Sequence, residues 1–366
     1  MRDRTETIRK FPSPRRKTRP VRVGDLTIGA GAPVSVQSMA KCPTTDLDSV
    51  VEQIRRVVAA GCDIFRVAVP DAAAAEAIGA IVEASPIPIV ADVHFDWRLA
   101  VAAVERGAQK VRLNPGNIGG RDNVARVAEA CLEHGAAMRL GVNAGSLERD
   151  LLDKYGGPTA DALAESALRC ATLAEELGMG AVVISIKAHD VVRTVVANRI
   201  FSAESDMPLH LGITEAGGGE EGLVRSAIGI GVLLAEGIGD TIRVSLTAPP
   251  EEEVRAGRLI LRSLGLQPGP VVVSCPTCAR VQIPVGELAA EVRAAVEDVD
   301  QPVVIAVMGC EVNGPGEARE ADLGIAGGRE RAVIFRAGKV IRTVTKAQAI
   351  QVLREELDRL LAERTE

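Results

Sequence analysis

Ile87-Pro88-Ile89-Val90-Ala91-Asp92-Val93-His94-Phe95-Asp96-Trp97-Arg98-Leu99-Ala100-Val101-Ala102-Ala103-Val104-Glu105-Arg106-Gly107-Ala108-Gln109-Lys110-Val111-Arg112-Leu113 reads as a strand, a helix and the next strand. The segments Ile87–Val93 and Lys110–Leu113 read as short strands, while Arg98–Arg106 between them carries helical alternation and is followed by Gly107, a C-cap signal. The same unit repeats on either side of this stretch. Strands are expected at Val34–Ser38, Ile64–Val69, Ala137–Val142, Ala181–Ile186, Leu209–Ile213 and Thr241–Leu246 as well. Helices are expected at Asp46–Ala60, Ala72–Ala84, Asn123–His134, Ala160–Leu177, Val191–Ile200, Glu221–Glu236 and Glu251–Leu264. Eight strand–helix units in this length predict an α/β fold, a (β/α)8 TIM barrel, with a doubly wound open sheet as the alternative.

The chain has 366 residues, beyond the size at which one core keeps growing, so a second, smaller domain is expected. Hydrophobic residues make up 47% and aromatics only 2%, so Val, Ile, Leu and Ala must fill the core, as suits buried parallel strands. A net charge of −6 provides no field for nucleic acid, and no apolar run approaches a membrane span. The first twenty residues are basic, but no apolar segment follows that would make a secretory signal, and a solvated arm leading into the first strand is expected. Seven cysteines without such a signal fit a reducing, cytoplasmic setting. Cys62, Cys131 and Cys170 lie in apolar helical surroundings and read as core; Cys42, near a strand end, is ambiguous.

The repeat ends near Pro268-Gly269-Pro270, dividing a barrel over residues 1–266 from a compact α+β domain over 271–366. In the latter, a helix is expected near Leu288–Val299, a strand at Val303–Val307, a hairpin of Ala332–Arg336 with Lys339–Val344, and a charged helix from Lys346. Cys275-Pro276-Thr277-Cys278 places two thiols at C-x2-C spacing, and a third follows the strand in Gly309-Cys310-Glu311-Val312-Asn313-Gly314-Pro315-Gly316-Glu317. A redox dithiol and a structural zinc pair are the bland readings of C-x2-C. Three thiolates lack the fourth Cys or His that closes a protein zinc site, and no histidine follows His210. An iron–sulfur cluster tolerates a fourth, oxygen ligand, for which Glu311 and Glu317 are the candidates.

In such a barrel, chemistry collects where strands end. Those positions are Arg66, Asp92, His94, Arg112, Asn114, Arg139, Asn143, Lys187, His189, Thr214, Glu215, Arg243 and Ser245. Five cations from five strands would converge on one cavity. A diphosphate matches their donors, whereas pairing with Asp92, Glu215 and other acids would make them a rim network instead.

The cysteine segments, together with Gln37-Ser38-Met39, Ala91-Asp92-Val93-His94-Phe95-Asp96, Arg112-Leu113-Asn114-Pro115-Gly116 and Gly212-Ile213-Thr214-Glu215-Ala216-Gly217, resemble the bacterial 4-hydroxy-3-methylbut-2-enyl diphosphate synthase family over nearly the whole chain. Ala279 stands where that pattern has Gly, and Glu311 where it has an apolar residue. The resemblance implies an iron–sulfur oxidoreductase of the methylerythritol phosphate isoprenoid pathway, which opens 2-C-methyl-D-erythritol 2,4-cyclodiphosphate with two electrons. It implies one [4Fe-4S] cluster on Cys275, Cys278, Cys310 and an exchangeable Glu317, preferred over Glu311. It implies diphosphate binding by Arg66, Arg112, Arg139, Asn143, Lys187, Thr214, Arg243 and Ser245, with Glu215, Asp92 and His94 facing the carbon skeleton. Glu215 is then the acid for the departing hydroxyl, on the expectation that apolar walls hold its proton. His189 receives no role. A flavodoxin or ferredoxin donor is also implied, and a homodimer in which the cluster domain of one chain caps the partner's barrel.

Overall fold

The computed structural model describes residues 11–276, 278–310, 318–328 and 331–364. Its contacts divide the chain into two units, Met1–Gln267 and Pro268–Glu366.

The first unit opens with a short antiparallel hairpin, β1 (Val21–Val23) and β2 (Leu26–Ile28). Eight parallel strands follow: β3 (Ser35–Met39), β4 (Ile64–Ala68), β5 (Ile89–Asp92), β6 (Lys110–Leu113), β7 (Ala137–Asn143), β8 (Val182–Lys187), β9 (His210–Leu211) and β10 (Thr241–Ile242). Their order is β8-β7-β6-β5-β4-β3-β10-β9, and a parallel bridge from Ile184 to Leu209 joins the two ends into a ring. The helices are α1 (Leu47–Ala59), α2 (Ala72–Ala84), α3 (Trp97–Glu105), α4 (Arg121–His134), α5 (Arg149–Tyr155), α6 (Ala160–Glu176), α7 (Val191–Glu204), α8 (Gly219–Ala235) and α9 (Pro250–Ser263). The carboxylates of Asp46, Asp71, Asp96 and Asp190 accept from first-turn amides of α1, α2, α3 and α7. Such a cap is worth about 1 kcal/mol, and each follows a strand closely, so the strand-to-helix turns are fixed where the site must form.

Period-2 alternation sorts the strand side chains. On β6 and β7, Val111, Leu113, Met138, Leu140 and Val142 pack outward into the large aliphatic core shared with the helices. The inward Ile64, Val90, Ala137 and Val183 meet Val21, Val23 and Ile28 of the hairpin in a separate cluster that floors the barrel.

Residues 1–10 of the basic segment lie outside the described residues, and the arginines of its described part correct the reading of it as a solvated arm. Arg15 bonds the Ala32 and Gly239 carbonyls and the Asp240 carboxylate, and Arg16 bonds the Ser205 and Met207 carbonyls. Arg19 pairs with Asp206 and Glu175. Three-residue strands are too short to announce themselves by alternation, and arginine reads as surface until its acceptors are located.

Two barrel strands are shorter than expected. Leu209–Ile213 contracts to His210–Leu211, and Thr241–Leu246 to Thr241–Ile242, because the chain leaves the ladder there and runs on as loops. Thr214, Arg243 and Ser245 therefore sit beyond strand ends. No helix among the described residues is long and apolar enough to cross a membrane.

The second unit is a five-stranded sheet in sequence order: β11 (Pro270–Ser274), β12 (Val303–Met308), β13 (Leu323–Gly327), β14 (Arg331–Arg336) and β15 (Lys339–Thr345). The first three are parallel and the last three antiparallel. Helices α10 (Val285–Ala295) and α11 (Ala349–Glu363) cover its core, whose members include Ile305, Ile325, Ile334, Leu353 and Leu357. The hairpin turns at Ala337 and Gly338, both with positive φ, +47° and +74°. Strand β13 was not among the expected elements, since Gly324 and Gly327 weaken its strand pattern.

Candidate active site

The inward positions of the upper barrel are polar. Gln37 and Met39 come from β3, Arg66 from β4, Asp92 from β5, Lys110 and Arg112 from β6, Arg139 from β7, Ser185 and Lys187 from β8, and His210 from β9. Each lies at the parity opposite to the helix-facing aliphatics, so one alternation builds both the core and the site.

Asp92 is the hub. Its Oδ1 lies 3.2 Å from Arg112 Nη1, and its Oδ2 lies 3.3 Å from His94 Nε2 and 3.9 Å from Arg66 Nε. Arg112 Nη1 is also 3.2 Å from His94 Nε2. Burial pushes the Asp92 carboxyl up, but the charge of Arg66, the His94 hydrogen bond and Arg112 outweigh it and hold the group below the carboxylate range. A second carboxylate, Glu253 on α9, is 1% exposed and lies 3.4 Å from Arg243 Nη2 and 3.0 Å from Lys41 Nζ, while accepting from the Leu246 amide.

The remaining cations are poorly met. Arg66 directs Nε and Nη2 at the Met39 thioether, at 3.0 and 2.7 Å, a weak acceptor. Burial, with repulsion from Arg243 and Arg112, brings it down to about 10 despite Asp92. Arg139 reaches Gln37 Oε1 only at 3.4 Å, and among the described residues its Nε has no partner, nor does Arg243 Nε. Arg139 and Lys187 are lowered well below their ordinary values by burial and by the surrounding arginines. Arg66, Arg112 and Arg243 are close enough for their charges to act on both Arg139 and Lys187.

The other expected residues divide. Asn143, at the end of β7, and Thr214 and Ser245, in the loops after β9 and β10, are half-buried. Asn114 is engaged with Ser146 and the Gly116 amide, which makes it a loop brace. His189 is exposed. Glu215 is exposed too, in the left-handed region at φ +54°. The apolar walls expected around its carboxyl are not supplied by the barrel, which corrects the argument from burial. Sequence reading passed over Gln37, Lys110, His210 and Glu253. For Lys110 a signal existed, since it lies two residues before Arg112 on the same strand and so points the same way.

In the second unit, Ser274 pairs with Val307 in the parallel ladder, and the Cys275 amide bonds the Val307 carbonyl, so Cys275 and Cys310 leave the ends of adjacent strands. The Gly309 amide donates to Cys275 Sγ at 3.1 Å. A Cβ on Gly309 would stand 2.6 Å from Val285 Cγ2 and 3.3 Å from that sulfur, so only glycine allows the backbone so near the thiol. Cys275 and Cys310 are half-buried and Cys278 is exposed. Thiolate donors and an amide aimed at sulfur fit an iron–sulfur group. Among the described residues no three His, Cys, Asp or Glu side chains gather tightly enough to hold a metal ion; Glu311 and Glu317 lie outside the described residues. Cys62, Cys131 and Cys170 are buried, with thiols pushed up to about 12 by desolvation, as inert core thiols should be. Burial, more weakly, also raises the half-buried Cys42.

Residues 18–258 match the GcpE TIM-barrel domain, and residues 271–359 match the GcpE protein C-terminal domain. The chain is similar to proteins named 4-hydroxy-3-methylbut-2-en-1-yl diphosphate synthase (flavodoxin). That of Natranaerobius thermophilus is 50% identical over 351 residues, covering 96% of this chain and 99% of the relative. That of Caldanaerobacter subterraneus subsp. tengcongensis is 51% identical over 350 residues, with 95% and 99% covered, and that of Geobacter sulfurreducens 52% over 349, again with 95% and 99% covered. With both units matched and half of the residues shared along almost the full length, this chain belongs to the GcpE family.

Proposed function

We propose that the chain catalyses the reaction named for its relatives, reducing 2-C-methyl-D-erythritol 2,4-cyclodiphosphate to 4-hydroxy-3-methylbut-2-en-1-yl diphosphate. The observation that carries this reading is the charge imbalance at the barrel mouth. Arg66, Arg112, Arg139, Lys187 and Arg243 face only Asp92 and Glu253 among the described residues, and two guanidinium Nε atoms lack any partner. Desolvated cations without counter-charge call for a polyanion, and a diphosphate supplies enough oxygens for forked donors.

Two electrons and one proton balance the reaction. The ring C–O bond breaks with its electron pair left on the diphosphate, the neighbouring hydroxyl leaves as water, and a carbon–carbon double bond forms. The diphosphate gains a negative charge as the ring opens, and Arg66, Arg112, Arg139, Lys187 and Arg243, with Asn143, Thr214 and Ser245, are the donors already in place to meet it. Asp92 holds Arg112 and His94 in position. Glu215, at the lip of the loop after β9, is our candidate to deliver the proton to the departing hydroxyl; solvent access lets it be reprotonated.

A [4Fe-4S] cluster bound by Cys275, Cys278, Cys310 and Glu317 would supply single electrons and a Lewis-acidic iron. The first unit is then the substrate-binding domain and the second the cluster domain. Flavodoxin, the donor in the relatives' names, is the proposed reductant, and a homodimer in the cytoplasm is the proposed form. The test is anaerobic turnover of the cyclic diphosphate with an artificial reductant. Consumption of substrate by iron- and sulfide-loaded protein is expected; a colourless protein carrying stoichiometric zinc and inert toward the cyclic diphosphate would overturn the reading.

A further inference from the structure

Besides the arginines, the barrel interior holds further inward polar side chains. Ser35, Thr241 and His210 stand in one register row across β3, β10 and β9, with Thr241 paired to each of the others. Lys110 stands in a row with Val90 and Ala137 on its two neighbouring strands. Exposure is 3% for Ser35 and 0% for Thr241, His210 and Lys110. The Ser35 and Thr241 hydroxyls, both His210 ring nitrogens and Lys110 Nζ have no hydrogen-bond partner among the described residues. Buried polar atoms left unmet are costly, and ordered water is what meets such groups in protein interiors.

We propose that Lys110 regulates the charge of the anion site: it is neutral in the empty barrel and takes up a proton when the dianionic cyclic diphosphate enters, while His210, Thr241 and Ser35 hold the water that solvates it. The inference rests on the substrate reading above. Val90 and Ala137, which share the register row of Lys110, belong to the apolar floor with Val21, Val23 and Ile28. The charges that reach the lysine are those of Arg139 and Arg66, both repulsive, and burial acts in the same direction. No carboxylate among the described residues offsets them. His210 feels burial first, then Arg139, Lys187, Lys110 and Arg66, so it stays a neutral imidazole. It can donate from one nitrogen and accept at the other.

A diphosphate held by Arg66 and Arg139 cancels the very charges that keep Lys110 deprotonated. The lysine then becomes a cation under the anion, and a proton moves from solvent to Nζ. Ring opening adds a further negative charge to the diphosphate, so the protonated lysine also favours the product side of that step. Lys110 acts on the substrate through the arginines and water, as a positioning residue.

The experiment is titration calorimetry of the anaerobic, cluster-loaded full chain with the cyclic diphosphate, without reductant, in two buffers of different ionisation heat. Each phosphorus of the cyclic ligand carries one strongly acidic oxygen, so the ligand itself exchanges no proton near neutrality. The wild type should take up about one proton per site, and its Kd should rise about tenfold per pH unit above neutrality. Lys110→Met should bind with no uptake and a flat pH profile. Lys110→Arg, permanently charged, should also show no uptake but should bind more tightly than wild type at high pH. A purely structural lysine would not give these opposite affinities. Binding without proton uptake in wild type, or uptake retained in both variants, overturns the inference alone. Absence of any binding by wild type removes the substrate reading and this inference with it.

Discussion

Asp92→Asn separates stability from anion affinity. At 3.2 Å, the Asp92–Arg112 pair has a Coulomb attraction of about 5 kcal/mol at an effective dielectric of about 20. Desolvation offsets much of that, but losing one partner of a buried pair typically costs about 3–5 kcal/mol. Asparagine keeps the shape and one acceptor oxygen, which favours the lower end. For a barrel of this size, about 3 kcal/mol lowers the thermal midpoint by roughly 6–12 °C. The same substitution removes a negative charge beside the proposed diphosphate. A carboxylate about 7 Å from an anionic oxygen repels it by about 2 kcal/mol at that dielectric, so the variant should bind the cyclic diphosphate roughly thirtyfold more tightly. Differential scanning fluorimetry and calorimetric binding measure the two effects separately. Weaker binding in Asp92→Asn would show that holding Arg112 and His94 in place matters more to the ligand than the carboxylate's repulsion does, and an unchanged midpoint would show that the pair contributes nothing.

The sign of the pH effect follows from the direction of the Asp92 shift. Its folded carboxyl is held below the usual range, so its stabilisation is complete above the unfolded value of about 4 and is lost as pH falls through the folded value. The gap in midpoint between wild type and Asp92→Asn should therefore stay constant from about pH 5 to 8 and close only in strong acid.

Cys310→Ser should lose the visible absorption of an iron–sulfur cluster and most bound iron and sulfide while the barrel's far-ultraviolet circular dichroism persists; full iron and sulfide content would remove Cys310 from the ligand set. Glu215→Gln should keep the cluster and bind the cyclic diphosphate, yet lose most turnover in an anaerobic assay, and a wild-type rate would end its role as the acid. Mixing Arg112→Ala with Cys278→Ser protein should restore partial activity if the proposed homodimer builds its sites from both chains. No recovery after proven subunit exchange would favour sites built within one chain.

The barrel was legible because its strands are buried on the helix side by aliphatics, and this leaves a strong period-2 trace in Lys110-Val111-Arg112-Leu113 and in Ala137–Val142. The mouth was legible because Arg66, Arg112 and Arg139 each interrupt such a run. What escaped was hidden by context. The β1–β2 hairpin is two turns of alternation too short for any pattern, and β13 is disguised by Gly324 and Gly327. Glu253 reads as one more acid in the first turn of α9, a common dipole preference, until the fold brings Arg243 and Lys41 to it. The exposure of Glu215 was not readable at all, since burial of a loop carboxylate depends on what lies across from it.

The hairpin also explains why the cations are effective. Val21, Val23 and Ile28 close the floor with apolar surface, so water cannot screen the inward charges from below. Arg139, at 1% exposure, and Arg66 therefore repel each other at close to full strength in the empty barrel. That repulsion is a stability cost borne by the fold, limited by Asp92 and Glu253 to what the aliphatic core can carry. An arriving polyanion removes the same repulsion, so part of its binding energy is relief of a strain already present in the protein. Adding a third carboxylate to the mouth would make the barrel more stable and the anion weaker, because both effects draw on one electrostatic term. The number of acids at the mouth thus sets the balance between a durable barrel and a tight diphosphate site.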